Sequence, residues 1–234
     1  MTEPSDTAVF RLGYVPGVTP GKWVRIWAER RPHVPLELVT ATTDEAVELI
    51  RTGAVDAALV RLPIDRTGLH TIPLYTETTV AVAPKEHLVT ATEEATVADL
   101  ADEIVLRPQD DPLPWPGDRP GRAAAFTPAT TAAAIELVAA GVGLLIVPQS
   151  LARLHHRRDL TYRPLTDAPG SGVGLAWPDT GNTVLMEEFI GIVRGRTVNS
   201  SRTPRRDGTP AAGTPAPTKK SVARRPARRG THRR

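Results

Sequence analysis

The spacing of apolar positions changes repeatedly over the first 194 residues, and each change predicts an element. Val9–Val15 alternates apolar and polar positions, as a half-buried strand does. Lys22–Arg31 then follows helical spacing, with Trp23, Ile26, Trp27 and Arg30 on one face, and Pro32 and Pro35 end it. Leu36–Ala41 is a second strand. Thr42 or Thr43 caps a helix that runs to about Thr52, with Asp44 and Glu45 in the first turn, where the dipole favours negative charge. Gly53 closes that helix. Val55–Arg61 is nearly continuous in apolar residues, which predicts a strand buried on both faces in a parallel sheet. Leu69–Tyr75 and Thr78–Ala83 are two further strands.

Pro84 predicts a boundary, after which a second βα set begins. It contains a short helix near Val97–Leu100, a strand at Glu103–Leu106, a Pro-rich loop (RPQDDPLPWPGDRPGR) and a strand near Ala123–Phe126. The most legible stretch is ATTAAAIELVAAGVGLLIVPQSLARL, Ala129 to Leu154. Thr130 and Thr131 open a helix, Gly141 stops it, and a buried strand leads to Pro148 and a second short helix. Leu160–Pro164 is expected to cross back toward the first lobe. Val173–Trp177 is another strand, and Val184–Val193 is an amphipathic last helix. The pattern predicts an α/β fold of two lobes with a ligand cleft between them. Lobe I takes residues of about 8–83 and 165–194, and lobe II about 84–164.

Charge adds a feature that the periodicity does not contain. From residue 195 onward the chain has ten Arg, two Lys and one Asp, a charge of +11. Residues 1–194 carry 17 basic and 25 acidic residues, a charge of −8. The segment 195–234 is also rich in Pro, Ala, Thr and Gly, and too poor in larger apolar residues to offset ordering entropy, so it is expected to be disordered. Its basic residues Lys219, Lys220, Arg224, Arg225, Arg228, Arg229, Arg233 and Arg234 are candidates for contact with DNA or RNA phosphates through residues 202–234. No aromatic residue is interleaved there, which argues against base stacking on single strands.

Other classes are set aside on composition. The chain contains no cysteine, which excludes disulfides and thiolate chemistry. The polar start, MTEPSDTAVFRLG, lacks the apolar core of a secretory signal, and no run is long enough for a membrane span. A cytoplasmic protein without membrane contact is expected. No cofactor motif stands up: GVTPGKW has three residues between its glycines and no Ser or Thr after Lys22, and GSGVG opens no helix. The carboxylate pairs Asp44/Glu45, Glu93/Glu94, Asp110/Asp111 and Glu187/Glu188 are expected to face solvent. No metal spacing or catalytic constellation is present, so an enzyme is not expected.

Five pieces in register carry a resemblance: LELVTATTDEAVELIRTGAVDAALVRLP, PLYTETTVAVAPKEHL, VADLADE, IELVAAGVGLLIVPQSLARL and LTYRPL. Together, over residues of about 8–194, they resemble the effector-binding domain of LysR-type transcriptional regulators. The resemblance implies a type 2 periplasmic-binding-protein-like architecture, a small-molecule effector between the lobes, and side-by-side pairing into a homodimer. Such regulators carry a winged helix-turn-helix and a linker helix ahead of this domain. With a first strand at Val9, neither is expected in these 234 residues.

Three helix starts are expected to meet at the cleft: one near Thr19, one at Thr42 and Thr43, and one at Thr130 and Thr131. Each offers backbone donors, a hydroxyl and the positive end of a dipole, which suits a carboxylate or another small anion. Thr43 matches the hydroxyl position through which the family contacts effectors, 13 residues before Asp56. Taken singly, each threonine is also an ordinary helix cap. Arg61 is a candidate partner for an anionic effector, or else a solvated loop residue. Phe126 is a candidate for lining the cleft, or else core. Three functions stay open: a ligand-sensing regulator that touches DNA through its basic tail, a solute-binding or partner-regulating module without DNA, and an enzyme on the same bilobal fold.

Overall fold

Two five-stranded sheets carry the chain, whose computed structural model describes residues 8–196. The expected disorder and nucleic-acid contacts of the basic segment, Lys219 to Arg234 among them, lie outside the described residues.

The first lobe begins with β1 (Phe10–Tyr14), α1 (Gly21–Arg30), β2 (Leu36–Thr40), α2 (Thr43–Arg51), β3 (Ala57–Leu62) and β4 (Leu69–Glu77). The chain then enters the second lobe with β5 (Thr79–Pro84), β6 (Ile104–Leu106), β7 (Arg122–Ala123), α3 (Thr131–Ala139), β8 (Leu144–Pro148), α4 (Gln149–Leu154) and β9 (Leu160–Pro164). It returns to the first with β10 (Ser171–Pro178) and α5 (Val184–Val193). The strand orders are β2-β1-β3-β10-β4 and β7-β6-β8-β5-β9. In both sheets the returning or crossing strand runs antiparallel to its neighbours: β10 against β3 and β4, and β5 against β8 and β9.

Three sequence expectations are corrected by this pairing. Thr79–Pro84 belongs to the second sheet, so the lobes part at Thr78 and not at Pro84. The proline ends a strand, and a local stop signal does not say which sheet the strand joins. Leu160–Pro164 is the edge of the second sheet, paired along β5 from Leu160↔Pro84 to Pro164↔Val80; residues 165–170 make the return. The strand expected at Ala123–Phe126 shrinks to the pair Arg122–Ala123 beside β6, and Phe126 lies beyond it, 49% exposed. The apolar run of β3 is buried, as its composition predicts, though one neighbour is parallel and the other antiparallel.

The lobes pack differently. In the first, Phe10 of β1, Trp27 of α1 and Phe189 of α5 form an aromatic cluster with ring centroids 4.7, 5.0 and 5.9 Å apart. The Trp27 Nε1–H donates to the Val34 carbonyl at 2.8 Å, which satisfies its polar atom inside the core. In the second, aliphatic residues suffice: Ile135 and Val138 of α3 and Leu151 of α4 pack on β5 and β8. At the end of α3, Gly141 adopts φ +75°, and the Val142 amide reaches back to the Leu137 carbonyl, so the helix ends where the glycine predicts. Among the described residues no helix is long and apolar enough to cross a membrane.

Candidate functional site

Between the lobes lies a cavity of about 1580 Å³. The first lobe lines it with the loop Tyr14–Gly21, with Leu38 and Thr40 of β2, with Thr42–Asp44 and with Arg61–Pro63 at the end of β3. The second lobe contributes Gln109–Pro114, Ala129–Ala132, Ser150, Leu151 and Arg153–His155. Of the seven residues singled out from sequence, Thr19, Thr42, Thr43, Arg61, Thr130 and Thr131 line this cavity and Phe126 does not.

The three helix starts do reach the cleft, in unequal states. At α2, the Thr42 hydroxyl accepts from the Glu45 amide at 3.3 Å and the Glu45 carboxylate accepts from the Thr42 amide at 2.8 Å, a closed capping box. The Thr42 amide, first, and the Thr42 hydroxyl hold the Glu45 carboxyl below its ordinary pKa, because both favour its ionised form. At α3, the Thr130 hydroxyl accepts from the Ala133 amide at 3.1 Å, and buried Thr131 donates to Asp110 Oδ1 at 2.9 Å. The protein's own carboxylate therefore sits where an anion is favoured. At α1 the N-cap is Pro20, which has no capping side chain, and Thr19 stands exposed just ahead of it. Among the described residues, this is the one of the three helix starts that no side chain caps.

Arg61 is neither solvated nor a bare cation. Its side chain is 5% exposed, and Nη1 donates to Glu77 Oε2 at 3.2 Å and to Ser171 Oγ at 2.9 Å. Nη2 donates to the Pro16 carbonyl and to Ser150 Oγ, each at 3.1 Å. A solute entering the cleft meets a neutralised pair with its hydrogen bonds already assigned.

The sequence reading missed the second-lobe carboxylates. Both Asp110 and Asp111 line the cleft; Asp110 is exposed there, as its sequence context predicts, whereas Asp111 is withdrawn from solvent. The Asp111 side chain is 6% exposed and paired with Arg119 at 2.9 Å. Burial pushes its pKa up, and the Leu113 amide and Arg119 pull against that shift. Also missed were Ser150, at the first turn of α4 directly after β8, and the apolar pair Leu38 and Leu154, one from each lobe. Ser150 follows the carboxyl end of a strand, where ligands of open α/β sheets gather, and that signal was available. Leu38 and Leu154 carried none, since an exposed leucine is common on any surface.

Against this geometry, the sequence matches the LysR substrate binding domain over residues 6–197. The chain belongs to that family. It is 28% identical over 207 residues to a probable hydrogen peroxide-inducible genes activator of Mycobacterium avium, covering 82% of this chain and 66% of that protein. It is 31% identical over 168 residues to the HTH-type transcriptional regulator CatR of Pseudomonas putida, covering 67% of this chain and 57% of CatR. The chain thus spans about two thirds or less of these regulators. Among solved structures, the effector binding domain of BenM with its effector benzoate superposes with a TM-score of 0.69 at 22% identity, covering 80% of this chain and 91% of that one. The oxidised form of OxyR gives 0.67 at 20% identity, covering 80% and 93%. These likenesses establish the type 2 periplasmic-binding-protein-like fold of the LysR substrate-binding domain.

Proposed function

We propose that this domain senses a small carboxylate-bearing effector in the cleft between its lobes and acts in transcription regulation. The observation that carries this reading is the cleft itself: all three helix starts open into it, and the first, at Thr19 to Gly21, has no side-chain cap. Thr43 and Thr19 supply hydroxyls from the first lobe, Thr42, Thr130 and Thr131 hold the helix starts in place, and Arg61 fixes the floor. Tyr14, Leu38, Leu113 and Leu154 surround the body of the effector with apolar surface. The protein acts by binding, not by turnover, in the cytoplasm and as a homodimer. Its relatives are named as regulators, and that supports the same reading. Peroxide sensing through a thiol is closed to these 234 residues, which contain no cysteine.

A thermal-shift series with benzoate and other small carboxylates tests the proposal; concentration-dependent stabilisation is expected, because a ligand that prefers the folded state raises its melting temperature. No shift with any carboxylate would remove the anionic reading. A second reading, an effector with an ammonium or hydroxyl group beside its carboxylate, is favoured by Asp110 on the facing wall, and amino and hydroxy acids in the same series separate the two.

The basic residues of 202–234 are proposed to bind DNA phosphates, supported by the +10 charge of that segment against the acidic remainder. Duplex binding by the full chain should weaken steeply with salt, by roughly 0.9 log units per log salt for each phosphate neutralised, and a chain ending at Val198 should not bind. If neither binds at low salt, the sensor acts through another protein.

A further inference from the structure

The lobes are joined covalently at only two places, Thr78 and residues 165–170, so their relative orientation depends on what bridges them non-covalently. At the first crossing, Glu77 ends β4. Its Oε2 accepts from Arg61 at 3.2 Å and from the Ser150 hydroxyl at 2.6 Å, and the same hydroxyl accepts from Arg61 Nη2 at 3.1 Å. Arg61 and Glu77 belong to the first lobe, and Ser150, in α4, to the second. Both charged side chains are nearly buried, 5% and 10% exposed. Charge-assisted bonds in such surroundings are stronger than exposed ones. The backbone of the first loop closes on the same atom. Gly17 has φ +85°, and a Cβ there would stand 2.5 Å from Ser150 Oγ.

We propose that Arg61, Glu77 and Ser150 form a latch between the lobes, in which one second-lobe hydroxyl closes a first-lobe ion pair and sets the angle at the crossing. Ser171 shows what is specific to Ser150. It also accepts from Arg61, at 2.9 Å, but belongs to β10 and hence to the same lobe as Arg61. The two serines offer the same chemistry to one guanidinium, one within a lobe and one across the lobes. Arg61 and Ser150 both line the cleft, so a solute whose acceptor reaches Arg61 competes with Ser150 for Nη2 and leaves the Ser150–Glu77 bond as the remaining tie of the latch. Occupation and lobe orientation are then linked through differential affinity for the two states. The latch itself needs no ligand to be tested, and it stands or falls independently of what the cleft binds.

The absence of cysteine makes a direct test practicable. Spin labels at Ala28→Cys on α1 and Ala140→Cys at the end of α3, both exposed positions in different lobes, report the interlobe distance in the full chain. Ser150→Ala should broaden and shift that distance distribution. It should also raise amide exchange at Gln149, whose N–H bonds across the crossing to the Thr78 carbonyl, by roughly tenfold. Glu77→Gln should move the distribution the same way. Ser171→Ala should leave it where it is while lowering stability. The proposal is overturned if Ser150→Ala and Glu77→Gln both reproduce the parent distribution, or if Ser171→Ala moves it as far as Ser150→Ala.

Discussion

The two walls of the cleft leave their sheets in corresponding ways and then diverge. In the first lobe, β1 runs through a six-position loop, Val15 to Pro20, directly into α1. In the second, β6 runs into the Pro-rich loop and reaches β7 without a helix. Prolines at 108, 112, 114, 116 and 120 remove backbone donors and fix φ, so no helix can propagate there. Side chains hold this loop instead. Asp111 pairs with Arg119, Arg107 donates to the carbonyls of Arg119 and Gly121 at 3.2 and 3.3 Å, and Asp110 takes the Thr131 hydroxyl. The buried Arg107 Nε finds no partner among the described residues, a local cost of that arrangement. These two loops therefore differ: the first leads to an uncapped helix start, and the second brings carboxylates to the cleft. Similar positions in two half-sheets do not imply similar chemistry.

The largest effect that bears on this comparison comes from the cores behind the walls. Phe189→Ala removes one of the three mutually packed rings of the aromatic cluster and should cost about 3–5 kcal/mol in urea unfolding. With the lobes behaving as one cooperative unit, fluorescence from the tryptophans of both should lose its midpoint together; a separate second-lobe transition would show that the walls rest on independent supports.

Arg119→Ala should cost about 1–2 kcal/mol, a value reduced for solvent screening because Arg119 is 33% exposed. Adding Asp111→Asn should recover part of it, since the penalty arises from a buried carboxylate left without its cation. No recovery would mean that the loop depends on Arg119 for packing and not for charge.

A smaller change sharpens the contrast in polarity. Asp110→Asn should tighten benzoate binding roughly two- to fivefold in calorimetry, by removing a like charge from the second wall. Weaker binding would place Asp110 in direct contact with a donor on the ligand. Thr42→Ala opens the capping box on the first wall and should cost about 1 kcal/mol in thermal or urea unfolding.

The weakest expected effect is on pH, and Asp111 of the second wall opposes the lowered carboxylates of both lobes in sign. Glu45, Asp65 and Asp99 titrate below their ordinary values because backbone amides of Thr42, Thr67 and Thr96 bond to the ionised forms, and Asp159 does so through the Arg157 side chain. Each adds stability above its ordinary value that is lost as pH falls through the lower folded one. Asp111 is raised by burial, so its contribution is present at low pH and is lost as pH rises through the folded value. A melting temperature followed from about pH 6 to pH 3 should fall, and Asp111→Asn should steepen that fall.

Much of this molecule follows from local chemistry that its residues carry with them. The caps of α2 and α3, the glycine that ends α3 and the apolar run of β3 depend on contacts a few residues long, and spacing alone predicts them. The LysR-like order of elements was legible for the same reason, as was the gathering of threonines at helix starts. Pairing decided the rest. β5 joins the second sheet because its apolar faces fit between β8 and β9, and Pro84 beside it carries no information about that choice. Arg61 becomes a buried brace only because Glu77, Ser171, Ser150 and Pro16, from 16 to 110 positions away, close around it. Asp110 and Asp111 face the cleft because prolines turn their loop inward. The sequence by itself determined where most helices and strands begin and end, the strand after the Pro-rich loop excepted, since those energies are local. Which charges meet, and whether a cation is left for a ligand, was decided by tertiary structure, because burial and distance set the strength of electrostatics and neither is a property of neighbouring residues.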